Sequence, residues 1–114
     1  MAISYKILGQ TMAAASNAET VLYTAGQYVS GASAVISTIT ICNQVSTGAS
    51  YTIAVRPSAT GSTLPQNRIV YNAPIAGTDT TALTIGVSLA PGDKIIVSGS
   101  TTTLSFSAFG TEIL

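Results

Sequence analysis

Hydrophobic and polar side chains alternate with a period of two along several short stretches of this chain. No stretch of useful length follows the 3.6-residue period of a helix. Ile3 to Leu8 predicts a first strand, with Ile3, Tyr5 and Ile7 on one face. Gln10 to Ala18 is small and polar and reads as an extended connection or arm. Glu19 to Thr24 is the next strand, ended by Ala25-Gly26. Ala34 to Cys42 alternates most cleanly: Val35, Ile39 and Ile41 point one way, and Thr38, Thr40 and Cys42 the other, as in a half-buried strand. Tyr51 to Arg56 repeats the pattern with Tyr51, Ile53 and Val55 inward, and Pro57 closes it because proline cannot donate to a ladder. Arg68 to Tyr71 is a short strand, and Thr81 to Leu89 another, bent at Gly86. Ala90-Pro91-Gly92-Asp93 has the residues of a tight turn. Lys94 to Ser98 and Thr103 to Phe109 read as a terminal hairpin pair, with Leu104, Phe106 and Ala108 opposed to Ser105, Ser107 and Phe109.

About eight short strands separated by turn signals predict an all-β fold, a single antiparallel β-sandwich with jelly-roll or Greek-key connections. The large apolar side chains agree, because most are valine or isoleucine, whose branched Cβ suits a pleated surface. The 114 residues fit one domain. Residues 19–114 are assigned to the sandwich. Residues 1–18 carry a strand that is either an edge of that same sandwich or an arm adding to a neighbouring subunit's sheet. Lys6 and Ala13-Ala14-Ala15 imitate a signal peptide only faintly, since Gly9, Gln10 and Thr11 interrupt the apolar stretch and no basic residue precedes Ile3. The segment is therefore read as mature protein.

Charge changes the picture more than hydropathy does. Charged residues make up 7 % of the chain, against roughly 25 % in ordinary soluble domains. Lys6, Arg56, Arg68 and Lys94 balance Glu19, Asp79, Asp93 and Glu112. Near-zero net charge with so few ions favours self-association. Histidine is absent and Cys42 is the one cysteine, so a Ser-His-Asp or Cys-His site and a His/Cys zinc site are excluded. No enzymatic activity and no cofactor are expected. Four scattered cations cannot make the basic face that nucleic acid requires, and no window approaches the roughly 20 apolar residues of a membrane span.

The remaining polar residues have two readings each. Cys42 lies in an apolar run and reads first as a small buried side chain, second as a reactive thiol. Asp79 and Asp93 lie in turns, where aspartate bonds nearby backbone amides, with calcium binding as the alternative. Tyr23, Tyr28, Tyr51 and Tyr71 pack in the core or an interface, or else line a sugar-binding groove. Arg56 and Arg68 flank strands, either as solvated edge charge or as intersubunit ion pairs. Arg56, Arg68, Tyr23 and Tyr71 are the candidate intersubunit contacts.

Several phrases, taken together in their order and spacing, resemble small virion structural proteins of tailed bacteriophages, including phages of cyanobacteria. They are Val21-Leu22-Tyr23-Thr24-Ala25-Gly26, Ile36-Ser37-Thr38-Ile39-Thr40-Ile41-Cys42-Asn43, Tyr51-Thr52-Ile53-Ala54-Val55-Arg56-Pro57, Leu83 to Asp93, and Leu104 to Glu112. The likeness runs over roughly residues 19–113. One departure is a proline common after the Leu-Tyr-Thr phrase, where this chain has Ala25. The resemblance implies a non-enzymatic virion subunit, located in the virion after assembly in the host cytoplasm. A capsid-decorating or cementing role is expected first. A tail or neck component, or a host-surface glycan-binding attachment module, is the alternative. Expected partners are further copies of the chain, a trimer by analogy to capsid decorations, and major capsid or tail proteins.

Overall fold

A computed structural model describes residues 3–14 and 17–114 of the chain. Met1 and Ala2 of the expected arm, and Ala15 and Ser16 of the expected connection, lie outside the described residues. Eight strands follow in order: β1 (Ile3–Met12), β2 (Thr20–Thr24), β3 (Ser33–Asn43), β4 (Ala49–Arg56), β5 (Arg68–Ile75), β6 (Thr80–Leu89), β7 (Lys94–Gly99) and β8 (Leu104–Ile113). One 3-10 turn, Pro65–Asn67, interrupts the β4–β5 connection. The strands form two four-stranded antiparallel sheets, ordered β1-β8-β3-β6 and β2-β7-β4-β5. Every connection except β4–β5 passes from one sheet to the other. This is a jelly roll, the double-sheet arrangement that folds two Greek keys over one core.

The core lies between the sheets. Ile36, Ile39, Ile41, Phe106 and Ala108 enter it from the first sheet, and Tyr23, Ile53, Ile95 and Val97 from the second. Full burial of each large side chain contributes about 1.5–3 kcal/mol. The alternation in β8 matches expectation, since Leu104, Phe106 and Ala108 are buried and Ser105, Ser107 and Phe109 are not.

Other expectations need correction, each for an identifiable reason. β3 carries a bulge between Ile36 and Thr38. The extra residue, Ser37, shifts the phase, so Ile36 and not Val35 shares the inward face with Ile39 and Ile41. β1 continues to Met12 and pairs with β8 of its own chain, with a second register shift between Ile7 and Gly9. Tyr5 and Ile7 share a face, as expected, and it is the outward one. Gly9 sits where β1 crosses closest to β2, and a Cβ there would collide with the Leu22 carbonyl oxygen. Finally, β7 and β8 are not a hairpin, for they lie in opposite sheets. Ile95 and Val97 face Leu104 and Phe106 across the core, so the 100–103 turn spans the end of the sandwich. Its backbone is satisfied on both sides, Ser100 N–H donating to Ser50 O (2.9 Å) and Gln44 N–H to Thr103 O (3.2 Å).

Candidate functional site

Pairing register fixes which side chains share each face of the β1-β8-β3-β6 sheet. Its outer surface carries four rows: Met12, Ser105, Cys42 and Thr80; Gln10, Ser107, Thr40 and Ala82; Ile7, Phe109, Thr38 and Thr84; Tyr5, Thr111, Val35 and Ser88. None of these residues is charged. Among Lys, Arg, Asp and Glu, the four strands carry Glu112 and Lys6 alone, and both fall on inward rows. Tyr5 is 84 % exposed, and Ile7 and Met12 are exposed further along the same strand. A shallow depression of about 320 Å³ runs along the β1–β8 end of this face, lined by Gln10, Met12, Ser105 and Ser107. Cys42 corrects an expectation here, because it is a half-buried free thiol on the outer row and not a core residue. The physical cause is register: Ile41 and Asn43 take the inward positions on either side of it.

The edges of the two sheets differ as well. Both edges of the first sheet, β1 and β6, are ten residues long and contain no proline. In the second sheet β2 has five residues, and β5 carries Pro74, Arg68 and two register irregularities. Short strands, proline, charge and bulges block unwanted pairing. β1 also carries Lys6 and a register shift, so length and the lack of proline are what leave the first sheet's edges the more open, beside its uncharged face.

Of the candidate contact residues, Tyr23 lies wholly within its own sandwich. It is fully buried, and its hydroxyl donates to a Glu112 carboxylate oxygen. Burial first, and this hydrogen bond second, push its phenol well above the ordinary tyrosine value. Glu112 also accepts from the Val29 backbone N–H at 3.0 Å and faces Lys6 Nζ at 3.9 Å. Lys6 lies 4.9 Å from the centroid of the Tyr28 ring, and the Tyr28 hydroxyl donates to Leu8 O at 2.9 Å. The cluster pins the β2–β3 connection over one end of the sandwich, so its role is structural.

Arg68 and Tyr71 come together on the opposite sheet. The guanidinium stands 5.1 Å from the Tyr71 ring centroid, and Tyr71 is 65 % exposed. They line a groove of about 470 Å³ across the outer surface of β2-β7-β4-β5, with Glu19, Thr52, Asn72 and Ser98. Arg56 stands apart from this groove, half-buried, its Nε without a hydrogen-bond partner among the described residues. Asp79 and Asp93 act as turn residues. Asp79 accepts from Thr80 N–H at 2.9 Å, and Asp93 from Ser58 N–H and Ala90 N–H, each at 2.9 Å. Among the described residues no group of three or more Cys, Asp or Glu side chains is placed to hold a metal ion.

No protein-family model matches the sequence, and no curated protein matches it. The fold is similar to that of a chain in the structure of infectious bursal disease virus, Gx strain, with a TM-score of 0.54 and 9 % sequence identity. The superposition covers 97 % of this chain but 30 % of the viral one, so this chain spans less than a third of its neighbour's length. At that identity the likeness establishes a shared fold.

Proposed function

We propose that this chain is a non-enzymatic structural subunit of a bacteriophage virion, a jelly-roll domain that decorates or cements the shell. It self-associates through the outer face of β1-β8-β3-β6. The observation carrying this reading is the absence of any charged side chain from that face, in a molecule whose net charge is zero. Two such faces meet without desolvating an ion and without like-charge repulsion, both of which are costly. Four strands about 4.8 Å apart and ten residues long present roughly 600 Å² each, or about 1,200 Å² for a pair. That is the lower end of the range for specific, stable interfaces. Fold similarity to a chain from a virus structure supports the virion setting, and the resemblance of several sequence phrases to phage virion proteins suggests the phage.

The mechanism is passive. Apolar surface such as Tyr5, Ile7 and Phe109 is removed from water at about 25 cal/mol per Å², offset by ordering costs. Because ions contribute little, the association is expected to persist as salt is raised. Immunogold labelling of purified particles tests the setting. Label distributed over the head is the expected result; label confined to the tail or neck makes the chain a component of that structure, and unlabelled particles overturn the virion reading.

A further inference from the structure

The groove on the opposite sheet has a chemistry that the assembly role leaves unused. We infer that it is a binding site for a neutral saccharide, which the subunit presents on the side away from its self-association face. Its volume of about 470 Å³ falls within the range of small-molecule sites. Among its lining residues are hydroxyl and amide groups able to donate and accept, which is what a polyol demands.

Two of these groups have hydrogen-bonding capacity to spare. The Thr52 hydroxyl accepts from the Asn72 backbone N–H at 3.1 Å, which leaves its own proton free to donate into the groove. Thr63 Oγ1, also in the lining, is buried and has no partner among the described residues, so it retains an unspent hydrogen bond. Tyr71 supplies an aromatic surface, steadied by Arg68 against one face. Two of the chain's eight charges, Glu19 and Arg68, line the same groove with opposite sign. A single arginine sharing the groove with a carboxylate disfavours phosphate and nucleic acid, and a single carboxylate disfavours a divalent cation. Uncharged hydroxyl groups, by contrast, can bond both.

The test is a ¹H–¹⁵N NMR titration of the intact chain with neutral mono- and oligosaccharides, inorganic phosphate serving as the anionic probe. The expected result is saturable shifts at Thr52, Tyr71, Asn72 and Ser98, with Tyr71→Ala weakening binding several-fold to about tenfold, as one lost stacking contact does. The Tyr71→Ala and Thr52→Val variants should melt as the parent does, which separates lost binding from lost fold. No saccharide shifting these amides at tens of millimolar overturns the inference. So does binding that survives both substitutions, or phosphate binding in preference to every neutral sugar. None of these outcomes bears on assembly, which uses the other sheet.

Discussion

The Tyr23 hydroxyl donates to the carboxylate of Glu112, 89 residues further along the chain and in the opposite sheet. This bond joins β2 to β8 across the end of the sandwich, between two buried side chains. A buried hydrogen bond to a charged group contributes about 1.5–3 kcal/mol. Tyr23→Phe is expected to lose about that much, measured by urea unfolding. Glu112→Ala should lose more, since it strands the Tyr23 hydroxyl and the Val29 N–H and removes the partner of Lys6. Glu112→Gln, which keeps an acceptor, should cost less than Glu112→Ala.

The same pair sets a dependence on alkaline pH. Burial and the Glu112 bond raise the folded-state Tyr23 phenol above its ordinary value of 10.0. A group raised on folding stabilises fully below its unfolded value, and the contribution falls as pH climbs from about 10 through the folded value. Thermal unfolding should therefore show stability declining above about pH 10, and Tyr23→Phe should flatten that decline. An equally steep decline in the variant would assign it to other groups.

Gly9→Ala tests the close approach of the two sheets. The added Cβ meets the Leu22 carbonyl oxygen, which is backbone and cannot rotate away. Overpacking of this kind costs about 1–3 kcal/mol, and denaturant unfolding should show at least that loss. Gly61→Ala, where a Cβ meets open space, is the control and should change little.

Much of this architecture is legible in the sequence because alternation with a period of two is a direct consequence of strand geometry. What escapes is whatever changes the phase. Ser37 inserts one residue into β3, and no local signal marks it, so Val35 reads as inward when Ile36 takes that place. Glu112 escapes for the opposite reason. The phase that points Leu104, Phe106 and Ala108 inward also points Glu112 inward, but a carboxylate is not an expected core residue until its partners are known. The β7–β8 relationship is a matter of tertiary geometry. The turn Ser100 to Thr103 has the length of a hairpin loop, and only the need of both strands to face one core sends them to different sheets. The groove brings together Glu19, Ser98, Thr52 and Tyr71 from four separate segments, so no linear motif announces it.

Cys42 gives a native probe of the uncharged face. Its thiol is half-buried on the outer row, beside Ser105 and Thr80. Burial of this face on assembly predicts slow reaction with a thiol reagent in the assembled state and faster reaction after dilution to the dissociated chain. Equal rates in the two states would mean that the face remains open.

The most direct test places charge at the centre of that face. Thr40 and Ser107 are paired neighbours on β3 and β8, half-exposed in one outer row. Substituting both by lysine puts like charges opposite one another in any self-association through this surface, a cost of several kcal/mol. Sedimentation velocity at micromolar concentration should find the parent chain as a closed oligomer whose size is unchanged by added salt. The Thr40→Lys/Ser107→Lys variant should sediment as a monomer with its thermal transition retained. A parent chain that is already monomeric, or a double-lysine variant that assembles as the parent does, would contradict assembly through this face.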